Sequence, residues 1–236
     1  MSTGGGIKER LRCFVMQSEA TRSDDIIEVA TLLFRMKGYH ATSLHDVAES
    51  CRMQKGSLYY HFSGKEKLAF AVMIAVQAYF DKFILNYAYE GSLLPQERIT
   101  NINDALMKYF TADNNGCVFV NFSIEIADSI PAFVAPIRRY FESWENAYQA
   151  VFRQIYEADR AKALAEDFVS DLQGALIMSR ITGTDVPLQR LSARLLQAFQ
   201  TDLSIEQGPS LSKLDFVPVK AQYKSKKKIS NKGNRG

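Results

Sequence analysis

Apolar positions along this chain fall at helical intervals from about residue 23 onward, and no stretch alternates in the manner of a strand. Ile26, Ile27, Ala30, Leu33 and Phe34 repeat on one helical face. Ser23, Asp24 and Asp25 supply a cap and an acidic first turn, and Gly38 stops the pattern as a C′ glycine does. The spacing predicts a first helix over 23–37. Ser43, with Asp46 three residues on, opens a second over 43–51, with Leu44, Val47, Ala48 and Cys51 turned inward. After Arg52-Met53, a third short helix over 54–60 carries Leu58 and leads to Phe62 on the same inward face. Ser63-Gly64 breaks it, and Lys65 begins a long helix predicted to reach about Tyr87.

Two short helices joined by so tight a turn have the spacing of a helix-turn-helix, and the small Ala48 lets them cross closely. With Leu58 and Phe62 inward, Lys55, Ser57 and Tyr59 face outward, and Tyr60 and His61 follow at the helix end. Gly56 lets a target come near the backbone. The free N–H groups of the third helix's first turn favour an anion. Lys65 opposes the dipole of its own helix, a placement that suits a nearby phosphate. The DNA backbone is the partner that fits this set.

The segment ATSLHDVAESCRMQKGSLYYHFSGKEKL, residues 41–68, resembles the tetracycline-repressor (TetR) family of bacterial regulators. The resemblance implies an all-α homodimer, each subunit with an N-terminal DNA-binding domain and a C-terminal ligand and dimerisation domain. Carried over by position, Lys55, Gly56 and Ser57 would face bases. Tyr59, Tyr60 and His61 would contact mostly phosphates, with Tyr59 in reach of a thymine methyl. Lys65 would bind phosphate, and Thr42, Ser43 and His45 would anchor the second helix. The plainer alternative for each is a solvated side chain, or for His61 a packed capping histidine. The family's turn carries glycine where this chain has Arg52, so either the turn differs, the reading preferred here, or Arg52 is tolerated and adds a cation near DNA.

Residues 69–206 keep helical periods and are dense in aromatics. In 114–129, Asn114 or Asn115 can cap a helix from about 116, on which Cys117, Asn121 and Glu125 share a face. Gly-Cys-x-x-x-Asn-x-x-x-Glu resembles a branch of the family in which this helix lines the ligand cavity. The stripe either points into that cavity or forms an interhelical hydrogen-bond set. A long amphipathic helix over 137–154 puts Phe141, Trp144, Tyr148 and Phe152 on one face, as core with cavity wall in partial overlap. The candidate ligand residues are Phe83, Phe110, Cys117, Asn121, Glu125, Phe141, Trp144, Tyr148 and Met178. Helices at 166–182 and 186–203 carry small residues (Gly174, Ala175, Ser179) and an apolar stripe (Leu188, Leu191, Leu195, Ala198, Phe199). The resemblance implies that these two pair with their mates in a homodimer.

The net charge of +3 is uneven: +2 over 1–70, −6 over 71–212 and +7 over 213–236. The middle is not built to seek polyanions, whereas the ends could. Residues 1–20 read as a flexible arm with a short helix at 7–16, 21–68 as the DNA-binding domain, and 207–236 as a basic, disordered tail.

The three cysteines (Cys13, Cys51, Cys117) are far apart and form no metal or disulfide pattern, and no cofactor is expected. A sensor thiol at Cys117 would need a neighbouring base or cation that the sequence does not supply. The longest apolar run, Phe70 to Phe80, is short of the roughly 20 residues of a bilayer span, so no membrane helix is expected. The N-terminus has no signal-type apolar core, which puts the protein in the cytoplasm. All three histidines precede residue 62, and no nucleophile elbow, phosphate loop or zincin helix occurs, which argues against an enzyme. The resulting expectation is a repressor released from operator DNA by a small, mainly lipophilic or aromatic molecule, with Arg138, Arg139 or Arg180 available to an acidic group. The alternative is an architectural DNA-binding dimer without ligand control.

Overall fold

Ser23–Lys37 forms α1 because Ile26, Val29, Ala30, Leu33 and Phe34 are buried along one side. This computed structural model describes residues 23–112 and 116–206, with side chains to 200. The predicted arm with its helix at 7–16, the Asn114/Asn115 cap and the tail from 207 lie outside the described residues. Gly38, at φ 82°, closes α1 by donating its N–H to Phe34 O at 3.0 Å.

α2 (Leu44–Ser50) starts on a reciprocal cap: Asp46 N–H donates to Ser43 Oγ, and Ser43 N–H donates to Asp46 Oδ2. Its exit corrects one expectation. Arg52 takes φ 54°, so the turn keeps the left-handed shape that the family's glycine suits. Met53 N–H bonds Ala48 O and Arg52 N–H bonds Glu49 O, the paired closure of a Schellman motif. The Arg52 side chain is exposed, and α3 (Lys55–His61) follows directly.

α4 (Lys65–Phe83) is shorter than predicted. Ile84 leaves helical geometry at φ −122°, ψ −61°, and Leu85–Tyr89 continues as a 3-10 turn. The bend lets Ile84, Leu85 and Ala88 be buried, as the turn packs on α5 (Pro95–Thr111) and α7 (Val134–Phe152). The stretch Lys65–Tyr89 is also long and apolar enough to cross a membrane by length and composition, contrary to expectation. Here it is the shared core helix, with α1 against one end and α7 and the 3-10 turn further along.

α6 (Val118–Glu125) begins at Val118, two residues later than predicted, with Cys117 in the cap position. α7 runs as one long helix, and α8 (Ala158–Thr182) starts well before its predicted residue 166. α9 (Val186–Glu206) packs along α8 and α5. The body's core is aromatic: Phe80 stacks on Trp144 at 5.1 Å, and Phe119 lies over Tyr140 at 3.8 Å. All four rings are fully buried, so truncating any one costs about 3–5 kcal/mol.

Candidate functional site

Leu58 is the one buried residue of α3; His61 is half-buried and the other five are exposed. Tyr60 is 89% exposed and Tyr59 45%, beside exposed Lys55, Gly56 and Ser57. Lys55 Nζ stands 5.7 Å from the Tyr59 ring. A Cβ added at Gly56 would meet nothing, so the first turn is open to an approaching surface. Ser43 and His45 on the neighbouring α2 end are exposed as well.

Three predicted DNA contacts are otherwise engaged. Thr42 is buried, its hydroxyl donating to Gly38 O at 2.8 Å, so it locks the α1–α2 loop and does not face outward. Lys65 donates to Tyr39 O at 3.0 Å with its ammonium 4.3 Å from the Tyr39 ring. Burial pulls the Lys65 pKa down, and Glu125 nearby pushes it the other way. His61 Nδ1 lies 3.1 Å from Ser23 Oγ, which ties α3 to the start of α1 and favours the capping-histidine alternative.

Behind this surface, the last carbonyls of α1 are claimed by the body. Asn121 Nδ2 donates to Phe34 O at 2.9 Å and Arg35 O at 3.0 Å, and Arg180 donates to Met36 O at 2.7 Å. Arg35 Nε returns a bond to Gly116 O at 2.8 Å. His40 N–H donates to Glu125 Oε2 at 2.9 Å, and a Cβ at Gly38 would collide with that carboxylate. A helix end leaves its final carbonyls short of internal partners; here Phe34 O accepts from both the Gly38 N–H and Asn121, and two other helices supply the donors to Arg35 O and Met36 O. Phe122 adds an edge contact to Phe34 at 5.2 Å.

Alongside this junction a cleft of about 970 Å³ opens between α1 on one side and α4, the 3-10 turn and α5 on the other. Its walls carry Asp24, Glu28 and Arg35 from α1 and Asp104, Lys108 and Tyr109 from α5. Tyr79, Phe83 and Tyr87 line its third side.

The family model for bacterial regulatory proteins of the tetR family matches residues 26–72, and the LmrA/YxaF-like C-terminal domain model of transcriptional regulators matches 95–194. Together they span well over half of the chain. The chain belongs to the TetR family. It is 26% identical over 179 residues to the transcriptional repressor DhaR of Mycobacterium sp. strain GP1, covering 73% of this chain and 89% of DhaR. Its fold matches a TetR regulator from Legionella pneumophila with a TM-score of 0.70 at 22% identity, covering 77% and 99% of the two chains. It also resembles AibR in complex with isovaleryl coenzyme A and operator DNA, with a TM-score of 0.57 at 20% identity, over 75% and 97%. As a TetR protein the chain is a DNA-binding transcriptional regulator and not an enzyme.

Within this TetR chain the nine candidate ligand residues do not converge. Phe83 alone lines the large cleft. Phe110, Trp144 and Tyr148 are buried core rings, with Tyr148 donating its hydroxyl to Asn103 Oδ1 at 2.8 Å. Phe141 packs edge-on to Tyr140, and Met178 is about half exposed on α8. Cys117 is buried with its Sγ 4.0 Å from Tyr140 Oη, and burial pushes its thiol pKa up. Asn121 and Glu125 do share a face, and it points to α1: the hydrogen-bond alternative describes them. Sequence reasoning missed Arg35, Tyr39 and His40 at the junction and Tyr79, Tyr87, Glu28 and Asp104 in the cleft. The Gly-Tyr-His run after α1 and the one-turn spacing of Tyr79, Phe83 and Tyr87 were the available signals.

Proposed function

We propose that the chain is a repressor that holds its operator through α3 and lets go when a small, mainly lipophilic effector binds. The exposed tyrosine pair of α3 carries this reading. Two tyrosine rings that α3 leaves exposed beside a lysine, an open glycine and a helix N-terminus lie outside the core, and all of them suit a phosphate-lined groove. Lys55, Gly56 and Ser57 are the base-facing set, Tyr59 and Tyr60 the phosphate contacts, and Ser43 and His45 the flanking anchors. α6, through Asn121 and Glu125 and with Gly116 and Cys117 just before it, acts as the relay between body and DNA-binding head. Arg180 reinforces it.

Two copies would join through α8 and α9. Gly174, Ile177, Met178 and Ile181 leave an exposed stripe on α8, which Val186 extends on α9. The two α3 helices would then enter successive major grooves, about 34 Å apart. Working on operator DNA implies a cytoplasmic location.

The test is binding of purified protein to its own upstream DNA against scrambled DNA across salt. Specific binding about 10³-fold tighter or more, lost in Tyr60→Ala and Lys55→Ala, supports the repressor. Equal binding of both DNAs, with a salt slope untouched by either substitution, favours the architectural dimer.

A further inference from the structure

We infer that the cleft between α1, α4 and α5 is the effector site and that its occupant is an organic cation with an aromatic or alkyl body, an inference that rests on the regulator reading above. Size is the first argument. A volume of about 970 Å³ is at the upper end of small-molecule sites. By contrast, a void between α5, α8 and α9 holds only about 10 Å³.

Position is the second argument. One wall is α1 of the DNA-binding head and the others belong to the body, so one ligand would touch both. Arg35 spans the two: it lines the cleft, and its Nε holds Gly116 O at 2.8 Å beside α6. A ligand that moves α1 relative to α5 therefore loads the same helix whose final carbonyls Asn121 and Arg180 hold.

Chemistry is the third. Tyr79, Phe83 and Tyr87 form a concave aromatic wall while remaining 44%, 51% and 38% exposed. The Tyr79 and Phe83 rings lie 5.1 Å apart. Ring faces collected in a hollow attract a cation by their quadrupoles, more strongly as water is displaced. Asp24, Glu28 and Asp104 line the same hollow, and none of them is in a salt bridge with a described residue. Of the two cations there, Arg35 is committed: its guanidinium sits 4.7 Å from the Tyr109 ring centre. Three carboxylates against two cations leave the cleft with a net negative charge. Desolvation, and then Asp25, hold the Glu28 carboxyl above its ordinary range, a strain that a bound cation relieves.

The experiment is calorimetric titration of the full-length protein, free of DNA, with tetraphenylphosphonium and with tetraphenylborate. The two ions share shape and apolar surface and differ in the sign of charge. Saturable phosphonium binding about tenfold tighter than borate or more is expected. Glu28→Gln combined with Asp104→Asn should weaken phosphonium by a similar factor, about tenfold, and leave borate unchanged or improved. Ala105→Phe, which narrows the cleft, should weaken both. Both carboxylates are exposed, so the paired variant should melt with the wild type. Borate binding as tightly as phosphonium, phosphonium binding indifferent to both variants, or no saturable binding would each overturn the inference. Operator binding by the ligand-free protein and by Tyr60→Ala reports separately on the repressor reading, so either can fail alone.

Discussion

Arg52 holds a left-handed backbone that a glycine would adopt without strain. Arg52→Gly should therefore gain about 1 kcal/mol, read as a higher urea midpoint at unchanged slope. A loss would mean that the arginine side chain offsets its own strain. At the other end of the same helix, the Ser43 hydroxyl and then its backbone N–H, with Lys37 adding less, hold the Asp46 carboxyl below its ordinary value. A carboxyl depressed on folding stabilises at pH above its unfolded value of about 3.9, and the gain is lost as pH falls through the folded value. Ser43→Ala should thus cost about 1 kcal/mol at neutral pH, with the difference from wild type shrinking in acid. The cysteines give a third expectation. Burial, and then Asp25, push the Cys51 thiol up to about 11, and burial raises Cys117. A maleimide at neutral pH should spare both in the folded chain and label both in urea, as peptide mapping would show. Rapid native labelling of Cys117 would revive its role as a sensor thiol.

Among the elements, the ends of α1, α2 and α3 were legible because each is set by its own neighbours: a Ser-Asp cap, a C′ glycine, a buried face. What α6 does was not legible. Spacing shows that Cys117, Asn121 and Glu125 share a face, but it does not show what lies opposite. The carbonyls that Asn121 reaches belong to residues 86 and 87 positions earlier. The break in α4 was hidden for a related reason. Ile84 and Leu85 fit a continuing helix locally, and only α5 and α7, against which they are buried, make the bend favourable. The early start of α8 was missed because its first turns are largely exposed, with Lys162 and Glu166 paired across one turn. The relay role of α6 has its own check. Asn121→Ala removes the donor from two α1 carbonyls and should cost about 1–3 kcal/mol. Amide exchange should speed up over residues 37–41 while the α7 core stays protected. Unchanged exchange there would show that the contact is incidental.

For the whole molecule, the fold class followed from the uninterrupted helical periods, whereas the cleft did not, because it is assembled from three separate stretches of chain. Its aromatic wall looks like core in one dimension and is half open in three. The exposed stripe on α8 bears on assembly. Ile177→Arg with Ile181→Arg should halve the mass seen in sedimentation and weaken operator binding even though neither residue approaches DNA. A dimer that survives both would place the interface elsewhere.

The capping of α1 by Asn121 and Arg180 also bears on how such regulators can be recombined. A helix whose final turn is completed by side chains from the far half of the polypeptide is not a self-contained cassette. A chimera that joins residues 23–68 to the body of another regulator would expose those carbonyls unless the new body offers an amide and a guanidinium at the same places. Exchange of DNA specificity is therefore simpler by rewriting the outward side chains of α3 in place than by transplanting the head.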